Sequence, residues 1–186
     1  MFVIRFALLS SLFYALNVSM IPLIYTLEVS AFLFLFIRFG TTFFTSLVIT
    51  KSLFSISKIK QQKLGLWLLI LSFLFGIQSW LYVEAVKYMS VGLASVVLFT
   101  YPLITYLIVS LNSRRKLDVS TILMFLLAII GIAAISQSED GFYTMAIGIV
   151  LAILSAISYS LILIITPKMS ALKNWEIVKY TTLIPA

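Results

Sequence analysis

The sequence predicts an all-α membrane protein, a multi-pass helical bundle. Three observations predict it. Of 186 residues, 62% are hydrophobic and only 10% are charged, whereas soluble domains carry roughly 45–50% and about 25%. The apolar residues fall in runs close to the roughly 20 residues that one helix needs to cross a bilayer. The basic residues sit in short loops between those runs, the pattern that sets membrane orientation. The length accommodates roughly six or seven spans, with no room for a soluble domain.

Lys and Arg number 13 against 6 acids, for a net charge of +7. Their placement in the loops argues for a lipid bilayer as the partner and against nucleic acid. With no Cys, disulfides, thiolate metal sites and thiol redox chemistry are excluded. With no His, the commonest general base and metal ligand is missing. The few acids lie in loops or at span edges, and no Ser has an evident partner. The expectation is no enzyme, no metal and no cofactor. Arg5 and the apolar run behind it could mimic a signal peptide. The run continues to about residue 25 without an A-x-A site, so it reads as a first transmembrane helix.

Helix one is expected over about 2–25, with Pro22 near its end. Ser10, Tyr14 and Asn17 are spaced i, i+4, i+7 and should share a face turned into the bundle. Helix two, about 29–50, carries Arg38 near mid-depth. A charge there is expensive and calls for a partner or a function. Lys51, Lys58, Lys60 and Lys63 follow in a loop. Helix three, about 64–82, places Gln78 and Tyr82 on one face and Trp80 on another. Trp80 and Tyr82 read as an interfacial aromatic belt, and Glu84 with Lys87 as a solvated pair.

Helix four, about 91–110, should kink at Tyr101-Pro102, because proline removes a backbone donor and clashes with the preceding turn. Such a break survives in a bilayer only where neighbouring protein satisfies the backbone. Helix five, about 119–136, has Ala128, Gly131 and Ala134 in a row that should allow close helix packing. Helix six, about 144–166, ends before Pro167. A seventh apolar segment, about 175–186, is too short to span.

Orientation follows from the bases. With a cytoplasmic amino terminus, the inside holds Arg5, Lys51, Lys58, Lys60, Lys63, Arg114, Arg115, Lys116, Lys168 and Lys173, and the outside holds Lys87 alone. The outside also carries Glu28, Glu84, Glu139 and Asp140. That asymmetry predicts a multi-pass protein of the cell (inner or plasma) membrane with its amino terminus inside.

The chain also resembles itself. ALLSSLFYALNVSMIP (7–22) lies over AILSAISYSLILIITP (152–167) without a gap, matching Ala7, Leu9, Ser10, Tyr14, Leu16 and Pro22 to Ala152, Leu154, Ser155, Tyr159, Leu161 and Pro167. Five spans separate the copies, so the two helices run in opposite directions. This predicts a five-helix inverted repeat over 1–136 and the start of a second over 144–186. Such repeats are a plan of secondary transporters, with sites at the repeat interface near mid-membrane.

EAVKYMSVGLASVVLFTYPLITYLI (84–108), IRFG (37–40) and LAIIGIAAIS (127–136), in this order, resemble the EamA family of the drug/metabolite transporter superfamily. The resemblance covers essentially the whole chain. It implies two inverted five-helix repeats that move small metabolites or drugs without ATP. Two departures stand out. NSRRKL (112–117) lacks the glutamate of the G-E-R-L that often follows helix four, and most of the second repeat is missing. The chain is therefore expected to be an amino-terminal fragment, or a shortened product that is inactive alone. A homo-oligomer or the missing carboxy-terminal half would then complete the bundle.

The function expected is secondary transport of a small-molecule solute by alternating access, the alternative being a non-transporting membrane subunit. Tyr14, Asn17, Gln78, Tyr101 and Tyr159 are the expected pathway residues, since their side chains can hydrogen-bond a solute within the membrane. Arg38 joins them as a partner for an anionic group.

Overall fold

A computed structural model describes residues 2–50, 64–113, 119–136, 142–169, 172 and 174–183. The lysine loop 51–63, the basic stretch 114–118, the acidic loop 137–141 and Lys173 lie outside the described residues. Those described form α1 (Phe2–Ser19), α2 (Ile21–Thr26), α3 (Ala31–Thr50), α4 (Gly65–Ala85), α5 (Val91–Leu98), α6 (Tyr101–Asn112), α7 (Val119–Ser136), α8 (Phe142–Ile165), a 3₁₀ turn (Thr166–Met169) and α9 (Asn174–Leu183). The protein is an all-α, multi-pass membrane protein. Four helical stretches, Ala31–Val48, Gly65–Ala85, Val91–Asn112 and Met145–Met169, are long and apolar enough to cross a membrane, and Ser11–Thr26 and Val119–Ile132 are shorter apolar helices.

Prolines set the breaks. A proline ring clashes with the carbonyl four residues before it. For Pro102 that carbonyl is Leu98, and α5 ends there, with α6 restarting at Tyr101. Thr100 bonds back three residues, its N–H reaching the Val97 carbonyl at 3.1 Å. The expected kink is thus a full break. Pro22 does the same to helix one, which is two helices meeting at Met20, and Pro167 turns the end of α8 into 3₁₀ geometry.

Capping explains the turns. After α2 the Val29 N–H bonds the Ile24 carbonyl at 2.9 Å and the Glu28 N–H bonds the Tyr25 carbonyl at 3.3 Å. Glu28 between them has φ 55°. This is a Schellman closure with a left-handed residue in the place that usually takes glycine. Before α5, Ser90 accepts the Leu93 N–H at 3.2 Å as an N-cap.

Ring contacts fix the helix directions. Phe32 stacks on Trp80 with centroids 6.2 Å apart, and Phe39 meets Phe75 at 5.8 Å. The helices α3 and α4 therefore run antiparallel. The centre is α8, which crosses α4 antiparallel: Gly148 lies against Ala85 and Met89, Ser155 against Gln78, and the Lys168 ammonium 4.0 Å from the Trp67 ring centroid. The main core gathers Ile21, Phe39, Val83, Leu93, Val97 and Ala152. A second cluster joins Leu64, Leu68, Leu71 and Ile162 to Met169 and Tyr180, seating α9 beside α3 and α4. Most of what remains apolar and exposed, such as Phe32, Phe44, Leu123 and Ile130, faces outward, as lipid permits.

One packing expectation fails. A Cβ added at Gly131 would meet nothing within 4 Å, and Ala134 is exposed. At Gly131 and Ala134 the small row of α7 makes no close approach to another helix among the described residues. Close approach is made instead at Gly148, where an added Cβ would lie 3.2 Å from the Ala85 carbonyl oxygen.

Candidate functional site: a central cavity lined by tyrosines and Arg38

A cavity of about 700 Å³ lies among α1, α3, α4, α6 and α8. Ser11, Tyr14, Ala15 and Val18 line it from α1, Arg38 from α3, Phe75, Gln78, Ser79 and Tyr82 from α4, Leu98 and Phe99 from the break, Tyr101 from α6 and Tyr159 from α8. Tyr14, Arg38, Gln78, Tyr101 and Tyr159, singled out from sequence, are thus brought to one cavity. Tyr14 and Tyr159 are equivalent positions in the internal sequence match.

Asn17 is not brought there. Helices turn 3.6 residues per turn, so the face carrying 11, 14, 15 and 18 leaves position 17 more than a quarter turn away. Its Oδ1 is buried, with no hydrogen-bond partner among the described residues.

Gln78 is held from two sides. Its Nε2 donates to Ser155 Oγ at 3.2 Å, the same hydroxyl donates to the Gln78 carbonyl at 2.9 Å, and Ser79 Oγ donates to Gln78 Oε1 at 3.3 Å. One amide proton is left for the cavity. Ser160 Oγ lies 2.9 Å from the Tyr101 carbonyl, just past the break. This contact ties α8 to the first turn of α6. The Tyr101 and Tyr159 rings meet edge-to-face, with centroids 4.6 Å apart.

Tyr82 was expected in an aromatic belt. Instead it is 3% exposed and faces the cavity, with its hydroxyl 2.8 Å from Ser95 Oγ. Ser95 spends its own proton on the Val91 carbonyl at 2.7 Å, so Tyr82 is the donor. The signal was present in the i, i+4 spacing from Gln78. Trp80 points elsewhere, into a separate recess of about 390 Å³ with Phe32 and Phe73. Glu84 and Lys87 form the expected surface pair at 3.5 Å.

Arg38 is the charged residue of the cavity wall. Its carbonyl accepts Thr41 and Thr42 hydroxyls at 2.9 and 2.8 Å, while its guanidinium makes no ion pair or hydrogen bond among the described residues. A mid-span arginine costs about 2.5–3.5 kcal/mol on insertion scales. A place on the wall of a cavity large enough to hold water lessens that cost. Arg38 and Phe75 also border a second cavity of about 310 Å³, with Thr42, Thr166, Thr181 and Thr182 on its wall. The two spaces meet at this pair of side chains.

The EamA-like transporter family model matches residues 1–137. The chain belongs to the EamA-like transporter family. No curated protein and no solved structure matches it. The matched stretch of this EamA-like chain includes every wall residue of the first cavity named above except Tyr159, which α8 contributes.

Proposed function

We propose that this EamA-like protein is a secondary transporter of small metabolites, with the cavity as the solute site and alternating access as its mechanism. The observation that carries the reading is a mid-bundle cavity lined by Arg38, Gln78, Tyr14, Tyr101 and Tyr159. The three tyrosine hydroxyls have no hydrogen-bond partner among the described residues. Polar groups are costly within a membrane and mark solute pathways. Among the described residues no pair of cavity side chains forms a nucleophile with its base, which favours transport over catalysis.

The Arg38–Phe75 boundary between the two cavities is the proposed constriction, and α9 forms part of the wall beyond it. The distribution of bases supports a cytoplasmic amino terminus in the plasma or inner membrane. Tyr14 is 42% exposed, so the α1 side leaves room for a further wall. A second copy of the chain, or a carboxy-terminal half, would supply it.

The test is uptake of radiolabelled carboxylates, amides and amines into proteoliposomes. Uptake above protein-free vesicles that falls with Tyr159→Ala supports the reading. Background uptake for every solute contradicts transport by this chain alone, and leaves the alternative of a membrane subunit that needs its missing wall.

A further inference from the structure

Resting on that transport reading, we propose that the cavity takes a small organic monoanion, a carboxylate with an apolar or aromatic body, and that Arg38 selects it. Among the described residues, no Asp or Glu lines either cavity that Arg38 borders. The acids described elsewhere lie near helix ends: Glu28 past α2, Glu84 in the last turn of α4, and Glu176 in the first turn of α9. A guanidinium keeps its charge at every physiological pH, so the wall carries one positive charge that no lining residue neutralises.

A single charge suits a single carboxylate. Its planar fork matches two carboxylate oxygens, and its weak hydration favours pairing away from bulk water. Among the described residues, no second Lys or Arg lines the cavity to balance a dianion. The remaining surface suits the rest of such a molecule. Phe75, Leu98 and Phe99 form apolar walls, the Tyr101–Tyr159 pair offers an aromatic edge and face, and the Tyr14 hydroxyl offers a further hydrogen bond. Arg38 also borders the second cavity, so the same cation can hold the anion on either side of the constriction.

The experiment uses the full chain purified in detergent, with benzoate, indole-3-acetate, their neutral amides and benzylamine as probes. Binding is read by competition and by the shift in thermal unfolding. At least tenfold tighter binding of each carboxylate than of its amide is expected. Arg38→Gln should bring the carboxylates to the level of the amides, and Arg38→Lys should keep part of the preference, since it keeps the charge and loses the fork. Tryptophan fluorescence melting shows whether each variant is folded, and the wild-type preference stands as a test without any variant. Absence of any carboxylate preference overturns the assignment, as does a preference that survives in folded Arg38→Gln. Flux of neutral solutes without carboxylate preference leaves transport standing and removes the anion site. Carboxylate preference without flux of any solute leaves the anion site and removes the transport reading.

Discussion

Replacing Ser155 by Ala should loosen the junction between α4 and α8 and the cavity wall together. Ser155 is fully buried. Its hydroxyl accepts from Gln78 Nε2 at 3.2 Å and donates to the Gln78 carbonyl at 2.9 Å. Interhelical hydrogen bonds in membrane proteins average about 0.6 kcal/mol each and reach about 1.7. The Gln78 carbonyl sits within α4, where the main chain also serves it, so its loss falls at the low end. The amide proton loses its protein partner and turns to cavity water, which limits the further cost. The sum is a loss of about 1–2 kcal/mol, or roughly a 5- to 30-fold change in the folded ratio. Ser158→Ala is the internal control. That hydroxyl bonds only the Leu154 carbonyl of its own helix, at 2.9 Å, and its removal should stay within about 0.5 kcal/mol. Denaturant titration in bicelles, followed by tryptophan fluorescence, measures both. Equal losses for the two variants, or a larger loss at 158, would refute the clasp.

Two other predictions concern packing and topology. Gly148→Ala places a methyl 3.0 Å from Met89 Cγ and 3.2 Å from the Ala85 carbonyl oxygen. Overpacking of about 1–3 kcal/mol then outweighs the roughly 1 kcal/mol that alanine gains in a helix. Gly131→Ala, with nothing within 4 Å of the new methyl, should keep that helix gain and raise thermal stability; a fall there would place α7 against an unseen neighbour. Side-specific labelling of single cysteines at 87 and 113 should report opposite faces of the membrane, with 113 cytoplasmic; labelling from one side would remove the inverted-repeat topology.

Much of the bundle was legible because lipid makes the apolar runs continuous and the bases punctuate them. The span 119–136 emerges with the same bounds as α7, since no proline interrupts it. Where prolines occur, the position of the break was harder to read. The clash acts four residues upstream, so Pro102 ends α5 at Leu98, ahead of the expected kink. Tyr14, Gln78, Tyr101 and Tyr159 were visible as polar or phenolic groups in apolar runs. Tyr82 was obscured because tyrosine near a span end serves an interface equally well; its burial and its contact with Ser95 distinguish the roles. Asn17 was misplaced because a three-residue stripe on α1 defines a broad arc, and which part of it faces the cavity depends on how α1 is seated beside α3 and α4. The second cavity was hidden for the same reason. Its wall joins Thr42, Thr166 and Thr181, and sequence spacing cannot bring these together.

The natural absence of cysteine permits a direct test of the central claim. Single substitutions Ala15→Cys and Leu98→Cys put a thiol on the cavity wall, while Ile153→Cys puts one on an exposed face of α8. Solute flux into proteoliposomes is measured before and after reaction with a bulky thiol reagent. If the cavity is the solute path, flux at Ala15→Cys and Leu98→Cys falls to background on labelling, and flux at Ile153→Cys does not change. Flux that persists after both cavity thiols are fully labelled would place the path elsewhere and contradict the account.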